Sequence, residues 1–360
     1  MTLRRLDPWL SAAFAVIAVC SYLAQDSTAQ ALDSPAYSSR QLVWLLLGAA
    51  TMVAVGLSDY RVWARLAPAL YALSLVVLLG MLVLAPVRAG ARSWLGIGSF
   101  GGQPSELVRV VVILLVGLLA AEHRQRRSDL GGVLRLSAVV AAPMVLIALQ
   151  PDLGVALTFL PVLLAALWLG GLPWRLWTAL LLAALALAGA GWAWYLKPYQ
   201  RERILTFLDS DRAPLAAGYQ QRQSRIAVGA GGLTGRGLKS GTQSQLRFLP
   251  AQHTDFIFAV WAEETGFVGA SVLLTAYAAL LMRLFLIALA ARDRLGAVVA
   301  GCIGAWLAAQ TVFNLAMVLG VAPTTGITLP LLSYGGSSIL ATSIALGLAQ
   351  SVWRLRFANL

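Results

Sequence analysis

Long apolar runs alternate with short polar stretches along the chain, and this pattern predicts a series of membrane-spanning helices. A helix needs about 20 predominantly apolar residues to cross a bilayer. We identify ten such runs: residues 8–24, 40–57, 64–85, 105–121, 130–149, 153–170, 174–195, 257–290, 295–320 and 335–353. The predicted fold class is an all-α integral membrane protein with about ten transmembrane helices.

One long segment interrupts this alternation. Residues 196–254 are polar and rich in glycine, whereas the other connections are short. We therefore divide the chain into spans 1 to 7 (1–195), one long external loop between spans 7 and 8 (196–254), and spans 8 to 10 (255–360).

The composition excludes an ordinary soluble enzyme. Of the 360 residues, 59% are hydrophobic and 12% are charged, which is about half the charged fraction of a typical globular domain. Cys20 and Cys302 lie inside apolar runs and indicate no disulfide framework. His123 and His253 are the only histidines, and two histidines with two such cysteines argue against a zinc site.

The net charge of +12 would suggest a nucleic-acid ligand in a soluble protein, but in a membrane protein basic residues first report topology. With both termini in the cytoplasm, the short outer loops carry only Arg40, Arg88 and Arg92. The inner segments then carry Arg4, Arg5, Arg61, Arg65, Arg124, Arg126, Arg127, Arg175, Arg292, Arg294, Arg354 and Arg356. This asymmetry favours an even number of spans with both termini cytoplasmic.

The long loop has its own excess of positive charge. Such an excess beside a lipid surface attracts anionic ligands such as phosphate groups, although a solvated loop without a ligand explains it equally well. Its glycines allow close approach of the backbone to a ligand, but their spacing is not that of a P-loop. The basic residues are Lys197, Arg201, Arg203, Arg212, Arg222, Arg225, Arg236, Lys239 and Arg247.

Acidic residues near the predicted membrane boundary are the first candidates for chemistry. Asp255 stands where the basic loop meets the eighth span. Either it or Thr254 is an N-cap of that helix, or Asp255 is a general base at the outer bilayer surface. Glu263 and Glu264 lie two turns further on, where acids are costly, and we expect them to face the bundle interior and pair with a basic group. Asp152, before the sixth span, is either a cap or a buried anchor.

Two further polar features lie at outer ends of helices. Glu106 and Arg109 share one face of the fourth span and form either an internal ion pair or a polar pair facing a substrate cavity. The segment 323–338 contains two prolines and three glycines and cannot be one regular helix. We expect it to fold into the mouth of the bundle, where Ser337 and Ser338 could cap the last helix.

Several separated motifs resemble the SEDS (shape, elongation, division and sporulation) family, its elongation branch more than its division branch. They follow one another from the fourth span to the last, whereas the first three spans carry little of the signal. Members of this family have ten spans, the number that hydropathy predicts. The motifs are ARSWLGIGSFGGQPSEL at 91–107, QPDLG at 150–154, YQRERILTFLD at 199–209, GGLTGRGLKSGTQSQLRFLPAQHTDFIFAVWAEE at 231–264 and SYGGSS at 333–338.

The resemblance implies a peptidoglycan glycosyltransferase that polymerises lipid II at the outer face of the cytoplasmic membrane during cell elongation. It also implies that Asp255, in the HTDF motif, is the essential aspartate of the family, and we expect it to act as general base. The carboxylate would take the proton of the acceptor 4-hydroxyl as that oxygen attacks C1 of the donor. The anomeric centre is then inverted and the lipid pyrophosphate leaves.

The resemblance also suggests residues that bind the substrate. Cationic groups would stabilise the leaving pyrophosphate, and Lys239, Arg203 and Arg247 are the candidates. Arg109 stands where the family often has lysine, which keeps the charge but changes its geometry. A divalent cation, Mg²⁺ or Mn²⁺, is an expected cofactor with unknown ligands, and no organic cofactor is expected. The other substrate-binding candidates are Gln243, His253, Glu106, Arg109 and Ser337.

The expected partners are lipid II (an undecaprenyl-pyrophosphate-linked disaccharide peptide), a class B penicillin-binding protein that acts as transpeptidase, and the elongation machinery, without nucleic acid. The expected location is the cytoplasmic (inner) membrane, with the active site facing outside. Two alternatives stay open. One is a lipid II flippase, against which the clustering of acids on the outer side argues, and the other is a non-catalytic scaffold for a transpeptidase.

Overall fold

The structure, a computed structural model, describes residues 6–86, 93–97, 100–122, 130–196, 200–202, 205, 207 and 217–357. Over these ranges the chain forms a bundle of helices with one small antiparallel hairpin, β1 (Leu95–Ile97) and β2 (Phe100–Gly102), in which Leu95 lies opposite Gly102. The helices are α1 (Pro8–Ala31), α2 (Ala36–Leu57), α3 (Tyr60–Leu84), α4 (Pro104–Glu122), α5 (Leu130–Leu149), α6 (Leu153–Leu157), α7 (Leu160–Leu169), α8 (Trp174–Ala190), α9 (Ala217–Ala230), α10 (Thr242–Gln245), α11 (Ile257–Leu289), α12 (Arg294–Val318) and α13 (Gly336–Leu355).

The predicted membrane fold is confirmed. Eight helices in the described ranges are long and apolar enough to cross a bilayer, namely α1 to α5, α8 together with the π-helical turn Gly191–Tyr195 that continues it, α11 and α12. The pair α6–α7 and the helix α13 occupy the other two predicted spans. The helix α13 is more polar, and most of its residues are buried among other helices.

The boundaries differ from the hydropathy prediction in two informative places. The first span was expected to end at residue 24, but α1 continues to Ala31 because its polar last turns, including Gln25 and Thr28, are buried. The sixth span is broken into α6 and α7. Pro161 stands in the first turn of α7, where its missing amide is tolerated, and it cannot continue a helix from α6.

Both ends of the described chain meet at one end of the bundle. The amide of Asp7, just before α1, donates to Oε1 of Gln350 in α13 at 2.6 Å. The Asp7 carboxylate also pairs with Arg283 of α11. At the same end, Arg61 at the start of α3 lies 2.9 Å from Asp293, which caps α12. The connection before α11, which contains Asp255, therefore lies at the opposite end.

Part of the long polar loop 196–254 is helical and packs against the bundle. The helix α9 is held against the end of α12 by two side chains, one donating to the last residue of that helix and the other to a carbonyl four residues beyond it. Gln221 Nε2 lies 3.0 Å from Ala322 O, and Ser224 Oγ lies 2.8 Å from Val318 O. The sequence pattern indicated only a polar loop here, because α9 is too polar to stand out by hydropathy.

The helix α11 is interrupted at Gly266, whose φ of 64° and ψ of −161° are not helical. The interruption leaves two carbonyls and two amides without partners inside the helix. The segment 232–237, which we call the bridging segment, supplies all four. Arg236 N donates to Glu263 O (3.0 Å), Gly237 N to Glu264 O (3.0 Å), Phe267 N to Gly232 O (2.9 Å) and Val268 N to Leu233 O (3.1 Å).

We predict that Gly266→Ala lowers the free energy of unfolding by about 1–3 kcal/mol, the cost of a strained backbone conformation. The new Cβ would meet the Gly235 amide and lie 2.7 Å from the Leu233 carbonyl oxygen. Thermal unfolding in detergent measures the effect. Gly80→Ala in α3 is the matched control, because an added methyl group there meets nothing within 4 Å, and equal melting of the two variants would contradict the prediction.

Candidate active site

Asp255 lies in a turn, residues 251–256, that directly precedes α11, and we call it the Asp255 turn. The helix begins at Ile257 with Phe256 as its N-cap residue and without a side-chain capping hydrogen bond. The Asp255 amide donates to Ala251 O at 3.1 Å, and its side chain is half-buried. Capping of α11 by Thr254 or Asp255, the alternative left open by the sequence, is therefore wrong.

Two consecutive carbonyls of the Asp255 turn are held by other parts of the chain. His253 O accepts from Gln25 Nε2 of α1 and from Tyr334 N, each at 2.9 Å. Thr254 O accepts from Ser333 Oγ at 2.6 Å. These bonds join the turn to α1 and to the segment before α13.

The third carbonyl, that of Asp255 itself, is held by α12. Asn314 Nδ2 donates to Asp255 O at 3.0 Å and to Ile327 O at 2.7 Å. On the side-chain side, a Cβ added to Gly326 would lie 3.8 Å from Asp255 Oδ2. The backbone of Asp255 is thus fixed from three directions, so that its carboxylate has a defined position at the mouth of the bundle.

The residues 323–335, which we call the mouth segment, fold into the bundle as expected. Their irregular backbone is tolerated at this depth because side chains from the helices satisfy its carbonyls. Tyr277 OH donates to Pro330 O at 2.6 Å, and Gln310 Nε2 donates to Thr328 O at 2.9 Å. Ser21 Oγ and Gln25 Nε2 both donate to Leu332 O at 3.2 Å.

His253 belongs to a cluster of three half-buried rings. Its ring centroid lies 5.0 Å from that of Tyr37 and 6.1 Å from that of Tyr334, and the two tyrosine centroids are 5.0 Å apart. Burial lowers the pKa of His253 below its usual value. The imidazole is therefore neutral at pH 7 and adds no positive charge beside Asp255.

Two of the predicted cations are bound at the C-terminal end of α1. Lys239 Nζ lies 2.6 Å from Asp26 Oδ2, and this hydrogen bond with its charge raises the pKa of Lys239. Arg247 pairs with Asp33, and its Nε donates to the carbonyl oxygen of Ala31 at 2.6 Å. Arg203, the third candidate, lies outside the described residues.

Glu263 and Glu264 are buried, as predicted. The prediction that they pair with a basic side chain is wrong for the part of the chain that the structure describes. Glu263 accepts from the amides of Gln243 (2.8 Å) and Ser244 (3.2 Å). Glu264 accepts from the hydroxyl of Ser27 in α1. Backbone amides and a hydroxyl thus take the place of a cation. The Oε1 atom of Gln243 is buried and has no hydrogen-bond partner among the described residues.

Glu106 and Arg109 form the internal ion pair, with Arg109 Nη1 2.9 Å from Glu106 Oε2. The guanidinium lies over the rings of Phe159 and Trp306, 5.1 and 4.8 Å from their centroids. The Arg109 side chain is 0% exposed. It lies in the bundle interior rather than at an open surface, and its contact with substrate stays a prediction.

Ser337 does not cap the last helix, since Gly335 is the N-cap residue of α13 and has no side-chain capping bond. Instead Ser337 Oγ accepts from the amide of Gln103 at 3.1 Å. Asp152 combines both of its predicted roles. It caps α6 through the amide of Val155 at 3.3 Å and anchors Gln103 Nε2 at 2.8 Å.

A protein-only metal site does not fit the described residues. No group of three or more His, Cys, Asp or Glu side chains within them lies close enough together to hold a metal ion. The divalent cation therefore stays a prediction, and we derive no chemical step through it.

Sequence reasoning missed several residues that build this site. Gln25 and Asn314 hold the Asp255 turn, Asp26 holds Lys239, and Tyr37 and Tyr334 pack on His253. A usable signal was present, because polar residues within apolar helices indicate buried partners. That signal does not tell which backbone carbonyl or side chain each residue meets.

Comparison with known proteins identifies the family. A family model described as cell cycle protein, covering FtsW, RodA and SpoVE, matches residues 5–356. The chain belongs to this family. Its membership confirms the SEDS resemblance that the motifs suggested.

Curated relatives cover most of this chain. It is 37% identical over 313 residues to peptidoglycan glycosyltransferase MrdB of Escherichia coli K12, which covers 87% of this chain and 84% of MrdB. It is 39% identical over 323 residues to the probable peptidoglycan glycosyltransferase FtsW of Nitrosococcus halophilus, covering 88% and 82% of the two chains. Stage V sporulation protein E of Bacillus subtilis is 36% identical over 327 residues, with 89% and 88% covered.

Solved structures of family members share the fold. A chain from a peptidoglycan synthase complex that coordinates polymerization and crosslinking superposes with a TM-score of 0.84 at 36% identity, covering 98% of this chain and 99% of that one. The crystal structure of the rod shape determining protein RodA of Thermus thermophilus gives a TM-score of 0.73 at 32% identity, with 98% of each chain covered.

We predict that Asn314→Leu lowers the free energy of unfolding by about 1–3 kcal/mol, because two buried carbonyls, those of Asp255 and Ile327, lose their donor. Chemical or thermal unfolding in detergent measures the change. Val312→Ala, at a position on the same helix that is 63% exposed, is the control and should have a smaller effect. A loss in Asn314→Leu no larger than in the control would show that the Asp255 turn does not depend on α12.

Proposed function

We propose that this chain, a SEDS peptidoglycan glycosyltransferase of cell elongation, polymerises lipid II at the outer face of the cytoplasmic membrane, with Asp255 as general base. MrdB and FtsW relatives carry the name of this activity. One observation carries the assignment of the base. The Asp255 turn is fixed by hydrogen bonds to all three of its central carbonyls, while the Asp255 carboxylate is not used to cap α11.

The reaction needs one base and a stabilised leaving group. Asp255 accepts the proton of the acceptor 4-hydroxyl as that oxygen forms a bond to C1 of the donor sugar. The bond between C1 and the pyrophosphate oxygen breaks, the pyrophosphate takes the electron pair, and the anomeric centre is inverted. No covalent bond to the enzyme is required, so a single carboxylate suffices.

Cations near the mouth of the bundle favour departure of the pyrophosphate. Preorganised positive charge acts where negative charge develops in the transition state. Lys239 is protonated, and its side chain is 43% exposed beside Asp26. Arg247 is 52% exposed beside Asp33. Each cation can therefore bind a phosphate group in place of its present carboxylate partner, Asp26 for Lys239 and Asp33 for Arg247.

The distribution of arginines supports an outward-facing site. At the end of the bundle opposite the Asp255 turn, arginines of several helices gather around the start of α1 and the end of α13. Arginine-rich ends of spans lie in the cytoplasm. With that end inside, both ends of the described chain are cytoplasmic and Asp255 faces outward, where lipid II is polymerised. These residues are Arg61, Arg283 and Arg354.

A transpeptidase partner fits the same proposal. A similar chain was solved within a peptidoglycan synthase complex that coordinates polymerization and crosslinking. We propose a class B penicillin-binding protein of the elongation machinery as the corresponding partner of this chain. The test below therefore includes such a protein.

We predict that Asp255→Asn lowers the rate of lipid II polymerisation by about 10²-fold or more, the usual contribution of general base catalysis. The measurement uses detergent-solubilised protein, purified lipid II, a class B penicillin-binding protein and Mg²⁺ or Mn²⁺, with glycan chains resolved on a gel. Unfolding temperatures of both proteins check that the variant is folded.

Asp293→Asn is the matched control, because it removes a half-buried carboxylate at the opposite end of the bundle, where Asp293 binds Tyr60 and Arg61. It should lower stability while leaving the intrinsic rate per folded molecule unchanged. Equal polymerisation by wild type and Asp255→Asn would exclude Asp255 as the base. If wild type fails to polymerise even with the partner and the metal ion, a flippase or scaffold role explains the family fold better.

A further inference from the structure

Glu263 holds the first turn of the short helix α10 from inside the bundle. Its side chain is 0% exposed. One carboxylate oxygen accepts from Gln243 N (2.8 Å) and Thr242 Oγ1 (3.3 Å), and the other accepts from Ser244 N (3.2 Å). Amides at the start of a helix have no partner within the helix and favour a negative charge, so the buried carboxylate is well satisfied without a cation.

The backbone of Glu263 holds the other end of the same stretch. Its carbonyl oxygen accepts from Arg236 N at 3.0 Å, while its carboxylate accepts from Gln243 N. Both ends of the segment 236–243, which we call the pinned segment, are therefore hydrogen-bonded to Glu263. Gly241 lies against the carboxylate so closely that an added Cβ would be 2.6 Å from Glu263 Oε2.

Lys239 lies in the middle of this pinned segment in a conformation that it would not adopt alone. Its φ of 63° is in the left-handed region, which costs free energy for a residue with a side chain and persists only where the surroundings impose it. The ammonium reaches Asp26 at the outer end of α1. The two anchors on Glu263, together with the bond from Gly237 N to Glu264 O inside the segment, therefore help to set the direction of the Lys239 side chain.

Glu263 also closes a loop around Asp255. The hydrogen bond from Gln243 N spans 20 residues of chain. Between its ends, Gln243 O accepts from Phe248 N at 3.1 Å and the Asp255 turn follows directly. Closing such a loop removes conformational freedom from everything inside it, and the loop contains the proposed base.

We propose that Glu263 is a positioning residue that fixes the position of the Lys239 ammonium relative to the Asp255 carboxylate. A lipid-linked pyrophosphate bound by the Lys239 ammonium then presents its sugar C1 to the acceptor hydroxyl at Asp255. This inference rests on the proposed function, because it assigns Lys239 to the pyrophosphate of the donor. Glu263 itself touches neither the substrate nor the reacting atoms.

The test measures binding and turnover in a double-mutant cycle of Glu263→Gln and Lys239→Ala. The amide of Glu263→Gln keeps one acceptor for Gln243 N but points a donor at Ser244 N. We expect each single variant to weaken binding of undecaprenyl pyrophosphate about ten-fold, as for loss of one hydrogen bond to a charged group. KM for lipid II should rise similarly. The double variant should bind no more weakly than Lys239→Ala, because Glu263 acts through Lys239.

A second pair of variants keeps the inference falsifiable if Glu263→Gln folds poorly. Gly241→Ala leaves Glu263 in place but pushes its carboxylate from α10, and it should give the same loss of binding. Gly229→Ala in α9 is its matched control, because an added methyl group there meets nothing within 4 Å. Trypsin should cleave after Arg236 or Lys239 faster in Glu263→Gln and Gly241→Ala than in wild type.

The outcomes separate this inference from the proposed function. If Lys239→Ala weakens pyrophosphate binding while Glu263→Gln and Gly241→Ala do not, the positioning role is overturned and the transferase proposal stands. Additive losses of pyrophosphate binding in the double variant also overturn it, because the effect of Glu263 on binding would then not pass through Lys239. Absence of polymerisation by wild type would refute the transferase proposal instead, whatever the binding data show.

Discussion

Every backbone amide and carbonyl inside a bilayer must find a partner within the protein, and the break of α11 at Gly266 creates four that the helix cannot satisfy. The bridging segment supplies these partners. A long polar loop is therefore drawn into the bundle at this point. The bridging segment leads directly into the segment that carries Lys239 and then into α10, so its bonds to α11 bring both next to that helix.

The mouth segment obeys the same constraint by other means. Several of its carbonyls accept hydrogen bonds from side chains, such as those of Gln310 and Tyr277. Asn314 serves both this segment and the Asp255 turn. One buried amide side chain thus joins two loops that are distant in sequence, and it satisfies a carbonyl in each of them.

Hydropathy predicted the ten spans because crossing a bilayer imposes length and apolarity on each helix separately. The motifs pointed to Asp255 by resemblance. Neither hydropathy nor motif resemblance could reveal the break of α11. A glycine such as Gly266 in an apolar run is equally compatible with close packing of two unbroken helices. The prediction of a cation beside Glu263 was wrong for a related reason. Free amides at the start of α10 satisfy a carboxylate, and their presence depends on the fold of a loop, not on any local pattern.

The ion pairs Arg109–Glu106 and Lys239–Asp26 differ in how readily they exchange partners. Arg109 and Glu106 are buried together, and removing one partner of such a pair leaves an uncompensated charge, which is strongly unfavourable. Lys239 and Asp26 are 43% and 31% exposed, so water screens their attraction and separating them costs little. Under the proposed function, an arriving phosphate would therefore displace Asp26 from Lys239 more readily than Glu106 from Arg109. Burial thus favours Lys239 over Arg109 as the first cation to meet a charged ligand.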